Sequence, residues 1–246
     1  MSDTVPKALQ AAWGLRDRPT KGPKPVLSVD RIVAAAVDVA GAEGFAAVSM
    51  SRVAGALSSS PMTLYRYVAS KEELTVLMAE AAVADPPAPR APEESWRSAL
   101  ERWAAEMFAM FRRHAWFLQM PVSGPPATPR QLAWLESGLR SLDGLGLTDA
   151  ESVSMLLLLN GYVRYEASLQ GQMADAARSD GRSVDAAMSE YGTLLRHLVQ
   201  KDRFPLLRRA IDAGVLDEPS EPDADFAFGL ARVLDGIDAF IRSKAG

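Results

Sequence analysis

The chain has 246 residues, 48% hydrophobic and 24% charged, a balance that suits a globular protein with a sizeable core and excludes a disordered or fibrous one. It holds no cysteine, which removes disulfides, thiolate nucleophiles and Cys-ligated zinc together. The net charge of −4 argues against an all-over basic nucleic-acid protein, yet the charge is uneven: residues 1–80 carry 9 Lys and Arg against 8 Asp and Glu, so the acidity lies beyond them.

The first 25 residues hold Lys7, Arg16, Arg18, Lys21 and Lys24, with Asp17 as the one acid between Lys7 and Lys24, and no apolar run fit for a signal peptide. The longest aliphatic run, Met155 to Leu159, is far short of the roughly 20 residues a membrane span needs. A cytoplasmic location is expected, and residues 1–27 read as a flexible basic arm. Such an arm can lie along phosphates, or serve only as a solubilising tail.

From Ser28 onward apolar residues recur at three and four, so the segments read as helices and no convincing strand appears. Val29, Ile32, Val33, Ala36, Val37 and Ala40 make one face, capped by Ser28 and ended by Gly41 and Gly44. A short helix follows Ser49, with Met50, Val53, Ala54 and Leu57 on its face. A third opens at Pro61, where the missing N–H is no loss; Leu64 and Val68 point inward. Ser70 and Glu73 form a capping box for a fourth that carries Leu74, Leu77 and Met78. This head spans residues 28–84.

The prolines of 85–92 cannot continue a helix and mark a linker. Residues 93–246 read as a larger helical body: one helix from Trp96 towards His114, a Pro-rich loop over 121–128, then helices begun by the capping boxes at Thr128–Gln131 and Thr148–Glu151. Further helices are expected over 184–200, 205–212 and 223–244. The predicted fold is therefore all-α: a three-helix helix-turn-helix head on a helical bundle.

Three short helices with a tight turn between the second and third can place the third in a DNA major groove, but any small three-helix bundle has that outline. The outward residues add chemistry: Met62, Thr63, Tyr65, Arg66 and Tyr67, followed by Lys71, offer hydroxyls and cations to phosphates and a thioether to a thymine methyl. The plain alternative is an amphipathic helix with two half-buried tyrosines.

At these residues the sequence resembles the DNA-binding domain of the tetracycline-repressor family, over 27–82 and in particular at Ser49–Ala54, Ser60–Val68 and Ser70–Leu74. The body is similar to the family's ligand-binding domain, best over 226–241. The resemblance implies base contacts from Ser51, Pro61, Met62 and Tyr65, and phosphate contacts from Ser49, Thr63, Arg66, Tyr67 and Lys71. Arg16, Arg18, Lys21 and Lys24 become candidates for a minor-groove arm, with Trp13 as its anchor on the head. Two departures stand out: the family usually has Gly then an aliphatic residue at Ser58 and Ser59, and often Arg at Ser51.

The resemblance also implies an effector pocket, for which Trp103, Met107, Phe111, Trp134, Asn160 and Tyr165 are the candidates among many aromatic and methionine residues that are otherwise plain core. In the last helix Phe226, Leu230, Val233, Ile237, Phe240 and Ile241 form a seam beside Gly229 and Gly236. With the helix through Met155–Leu169 it suits a homodimer built on 149–178 and 223–244, or packing within one chain. The expected partners are a double-stranded DNA operator and a small, largely apolar effector, with derepression as the output. No cofactor is expected, since no motif requires a metal. Catalysis is not expected either: His114 and His197 sit in no nucleophile or metal motif, and no phosphate loop occurs. A protein-binding helical scaffold is the remaining alternative.

Overall fold

The computed structural model describes residues 5–15, 27–121, 124–215 and 223–244, and among them every regular element is helical. The α-helices are α1 (Lys7–Ala12), α2 (Val29–Glu43), α3 (Met50–Ala56), α4 (Pro61–Leu64), α5 (Lys71–Ala82), α6 (Trp96–Arg113), α7 (Pro129–Leu142), α8 (Asp149–Ser179), α9 (Val184–Leu198), α10 (Pro205–Asp212) and α11 (Ala224–Lys244). Short 3-10 segments lie at Phe45–Ala47 and Ala115–Gln119. No helix is long and apolar enough to cross a membrane among the described residues.

The head's helices start where small hydroxyls replace missing carbonyls. Ser28, Ser49, Ser60 and Ser70 have extended backbones, and each side chain accepts the N–H three residues on, at 3.1 to 3.2 Å. Their apolar faces then meet in one core of Ile32, Ala36, Val53, Leu64, Val68, Leu74 and Met78.

Four local expectations change. α2 continues through Gly41 to Glu43, and only Gly44, at φ +84°, ends it. The third helix is a single turn: beyond Leu64 the N–H groups of Arg66 and Tyr67 bond three residues back, which tightens the chain before Val68. At α5 the Glu73 carboxylate accepts from Ala69 N–H at 3.1 Å, one residue short of the expected box. Within the span read as arm, residues 7–12 are helical and pack on α5, with Ala11 and Ala12 against the head core.

The body has its own core. Leu100, Trp103 and Phe108 of α6 meet Leu156, Leu159 and Val163 of α8, and Leu230, Leu234 and Ile237 of α11. Most of the proposed terminal seam is therefore spent within the chain: Phe226 stacks on Phe108 with centroids 4.1 Å apart, and Gly229 lies under the Tyr162 ring, where a Cβ would collide. Phe240 stays partly exposed, and nothing lies within 4 Å of a Cβ on Gly236. The linker is held too, by Ser137 Oγ on Pro87 O and Arg102 on Ala88 O.

Body and head are joined by side chains reaching across. Arg130 donates to Glu80 O and Val83 O, and Trp134 Nε1 donates to Ala84 O at 2.8 Å. From the Ala115–Gln119 segment Trp116 is buried in the head core, Phe117 packs against both cores, and Gln119 Oε1 accepts from Phe45 N–H at 3.0 Å.

The α3–α4 turn closes as a Schellman motif, with Ser59 N–H on Ala54 O and Ser58 N–H on Gly55 O. Ser58 accordingly has φ +50°. A left-handed serine costs about 1–2 kcal/mol, of which glycine would return part by loosening the unfolded chain, about 0.4–1 kcal/mol. Ser58→Gly should therefore stabilise the protein by about 0.5 kcal/mol, and Ser58→Val should destabilise it, as read from denaturant midpoints.

Candidate nucleic-acid interface

Two fully buried side chains, Leu64 and Val68, fix which way the third helix looks. With them turned into the core, Pro61, Met62, Tyr65 and Arg66 are exposed, Met62 at 76% and Tyr65 at 48%. An open apolar side chain beside a guanidinium and a phenol offers both apolar and hydrogen-bonding contacts to a groove.

The remaining predicted contacts sit around this face in different states. Ser51 and Ser49 are exposed on α3; the Ser49 hydroxyl oxygen is engaged in its cap, which leaves its proton for a phosphate oxygen. Thr63 is half-buried and its hydroxyl shares a 2.9 Å bond with Ser60, so it serves the cap as well as any phosphate. Tyr67 is half-buried against the head core. Lys71 is exposed at the start of α5, its ammonium 5.8 Å from the Phe45 ring centroid, a contact that restrains the long side chain. Arg52, by contrast, is committed to a bidentate pair with Glu43, which holds the Glu43 carboxyl below its ordinary range.

Arg16, Arg18, Lys21 and Lys24 lie outside the described residues. Trp13, named from the sequence as an anchor, donates Nε1 to Ala127 O at 2.9 Å, so it reaches the body's 121–128 loop.

Of the six effector candidates, the structure brings together four. Trp103 and Trp134 meet edge to face at 5.8 Å, with Met107 and Phe111 farther along α6 in the same core. Both indoles are already satisfied, Trp103 by Trp134 O at 3.0 Å and Trp134 by Ala84 O. Asn160 is half-buried on α8, while Tyr165 stands apart at 63% exposure. A groove of about 550 Å³ opens instead between α6 and the start of α11, lined by Ala105, Phe108, Arg112, Asp223 and Phe226, none of them among the six. Arg164, missed from the sequence, lies 5.2 Å above the Phe111 ring; a lone arginine in a long helix carries no periodic signal that would reveal it.

Comparison with known proteins accounts for both parts. Residues 32–77 match the family described as bacterial regulatory proteins, tetR family, and residues 88–241 match the tetracyclin repressor-like, C-terminal domain. The chain is 36% identical to the HTH-type transcriptional repressor DrrR1 of Streptomyces coeruleorubidus, covering 100% of this chain and 90% of that one. It is 24% identical to the tetracycline repressor protein class E of Escherichia coli, over 89% and 94% of the two chains. The crystal structure of Streptomyces coelicolor ActR in complex with actinorhodin superposes with a TM-score of 0.73 at 24% identity, covering 88% of this chain and 97% of that one, a likeness of fold.

If Arg66 and Lys71 meet phosphates, Arg66→Ala and Lys71→Ala should each flatten the slope of log K against log salt for a retained duplex by about 0.9. Tyr65→Ala, removing a groove contact, should cost about 1–3 kcal/mol of discrimination and leave that slope unchanged. Fluorescence anisotropy across a salt series measures both.

Proposed function

The chain belongs to the tetR family of bacterial regulatory proteins and is a ligand-responsive, DNA-binding transcriptional repressor; from that premise we propose that it works as a homodimer released from a palindromic operator by a small, largely apolar effector. The observation that carries the DNA reading is the outward face of residues 61–66, set by the burial of Leu64 and Val68. Residues 28–84 are then the DNA-binding unit and 93–246 the effector and dimer unit, acting in the cytoplasm where the operator is. We assign no catalysis: the His114 ring packs edge to face on Trp116 with centroids 5.9 Å apart, and His197 Nδ1 is 2.9 Å from Thr193 O within its own helix.

The dimer reading rests on what α8 and α11 leave uncovered. Leu157 at 68%, Leu158, Tyr165 and, on α11, Phe228 at 66% and Phe240 are large apolar groups facing outward. The two helices are tied together at one end by Lys244 on Glu151, whose carboxyl is held at about 2 by that bond and by Thr148 N–H. Two such pairs about a two-fold axis make a four-helix interface. α9 and α10 also expose Tyr191, Leu194, Leu198 and Leu206.

The route from effector to operator is supported by the Ala115–Gln119 segment. A ligand that alters the packing of Phe111 alters Phe117, whose ring is 5.8 Å away, and the neighbouring Trp116 is part of the head core. An effector preferring the conformation with misplaced heads lowers operator affinity by its differential affinity, typically about 1–3 kcal/mol.

Genomic fragments retained by the purified protein should share a two-fold symmetric site with half-sites about 10–10.5 base pairs apart, or a multiple; an asymmetric site would overturn the dimer reading. The double variant Leu157→Arg, Phe228→Arg should elute as a monomer in size-exclusion chromatography and bind the same site at least about tenfold more weakly, since one head then acts alone.

A further inference from the structure

Among the described residues of the body, one half-buried cation has incomplete surroundings. Arg164 is half-buried on α8, its guanidinium 5.2 Å from the Phe111 ring centroid. Among the described residues no carboxylate, carbonyl or hydroxyl accepts a hydrogen bond from it, and burial alone lowers its pKa, with no neighbouring charge contributing. The other half-buried arginines are different, Arg90 donating to Asp143 O and Arg196 to Thr193 Oγ1. Arg97 donates to Asp235, Arg102 to Glu94, Arg130 to the Glu80 and Val83 carbonyls, and Arg208 to Asp212. A guanidinium partly withdrawn from water, with none of its donors bonded to a described residue, keeps part of its desolvation cost, which packing over one ring does not return.

Its neighbourhood has the remaining parts of a binding site. Asn160 lies one helical turn earlier on the same side of α8, also half-buried and with no hydrogen-bond partner among the described residues. Tyr162 and Glu166 occupy the opposite side: Tyr162 bonds the Asp225 and Phe226 carbonyls, and the Glu166 carboxyl is raised by burial and by Asp225. The Arg164 side faces Phe111, which is tilted against Phe117 with centroids 5.8 Å apart.

We propose that Arg164 and Asn160 bind the acidic group of a planar aromatic effector, a carboxylate or ionised phenol, whose rings lie against Phe111 and Phe117. This rests on the reading of the body as an effector site and narrows it to a chemical class. An arginine fork matches the two oxygens of a carboxylate, and the Asn160 amide can meet a ring oxygen or the acid's second lone pair. The site also places the effector's charge beside Phe111, whose ring is 5.8 Å from Phe117, the residue that packs against both cores.

The test uses the full chain and two probes, anthracene-2-carboxylate and the uncharged anthracene-2-carboxamide, titrated by fluorescence with thermal melting as the folding control. The acid should bind the native protein about tenfold or more tightly than the amide, the margin of a charge-assisted bond over a neutral one. Arg164→Met should bring that ratio near one while keeping affinity for the amide, and Arg164→Lys should recover part of it. Equal binding of the two probes, no binding of the acid at millimolar concentration, or a preference that survives Arg164→Met would each overturn the proposal. So would an unchanged preference accompanied by weakened self-association, which would assign the acid to a second copy of this chain. Should Arg164→Met fail to fold, the native acid-to-amide ratio and Arg164→Lys still decide. Operator retention is scored separately: a protein that holds its operator but ignores the acid sinks this inference alone, and one that prefers the acid but retains no duplex sinks the repressor reading alone.

Discussion

A single tryptophan from the body, Trp116, completes the hydrophobic core of the head. That insertion makes the orientation of the head a property of the body's packing rather than of a loose tether. Burying an indole of this size contributes on the order of 1.5–3 kcal/mol or more, and the bond from Phe45 N–H to Gln119 Oε1 fixes the segment that carries it. Arg130 and Trp134 add a second attachment on backbone carbonyls at the end of α5 and the chain just beyond it. With two attachments, the head cannot swing freely about the linker, and a change in α7 or the 115–119 segment acts directly on α5, α2 and the Phe45–Ala47 segment.

What could be read from the sequence was mostly what is decided within one helical turn. The serine caps at 28 and 70, the inward Leu64 and Val68, and the Thr148–Glu151 box all depend on neighbours three or four residues away. What escaped depends on partners far along the chain. Nothing local distinguishes Trp116, which joins the head core, from Trp103, which joins the body core. Gly229 suggested close approach of a second helix, and it does permit one, but the visitor is Tyr162 of the same chain. The aromatic residues nominated for the effector were named by type, and type does not say that both indole N–H groups are already occupied. Arg164 had no pattern at all.

The face of the third helix illustrates how a small element can be held firmly. A one-turn helix has almost no cooperative stability of its own, so its shape comes from its ends: Ser60 satisfies Thr63 N–H, Pro61 needs no partner, and Leu64 anchors the last turn. The strain at Ser58 belongs to the same economy of space, because the Schellman closure is what turns the chain tightly enough to bring α4 against α3. Rigidity here matters for recognition, since each exposed side chain must meet a groove without first paying to order its backbone.

Reciprocity limits what the body must achieve. If an effector weakens operator binding by a given factor, the operator weakens effector binding by the same factor, so the unliganded protein must already favour the operator-competent spacing. Moving such an equilibrium from 1:99 to 99:1 takes about 5.5 kcal/mol of differential affinity, more than one aromatic contact supplies. A half-buried guanidinium without an acceptor is well placed to supply a large share, because its interaction with an anion is strong only where water is scarce and only in the conformation that brings the two together. A purely apolar ligand would find similar contacts in either conformation of a close-packed core, whereas a cation in a fixed place discriminates between them.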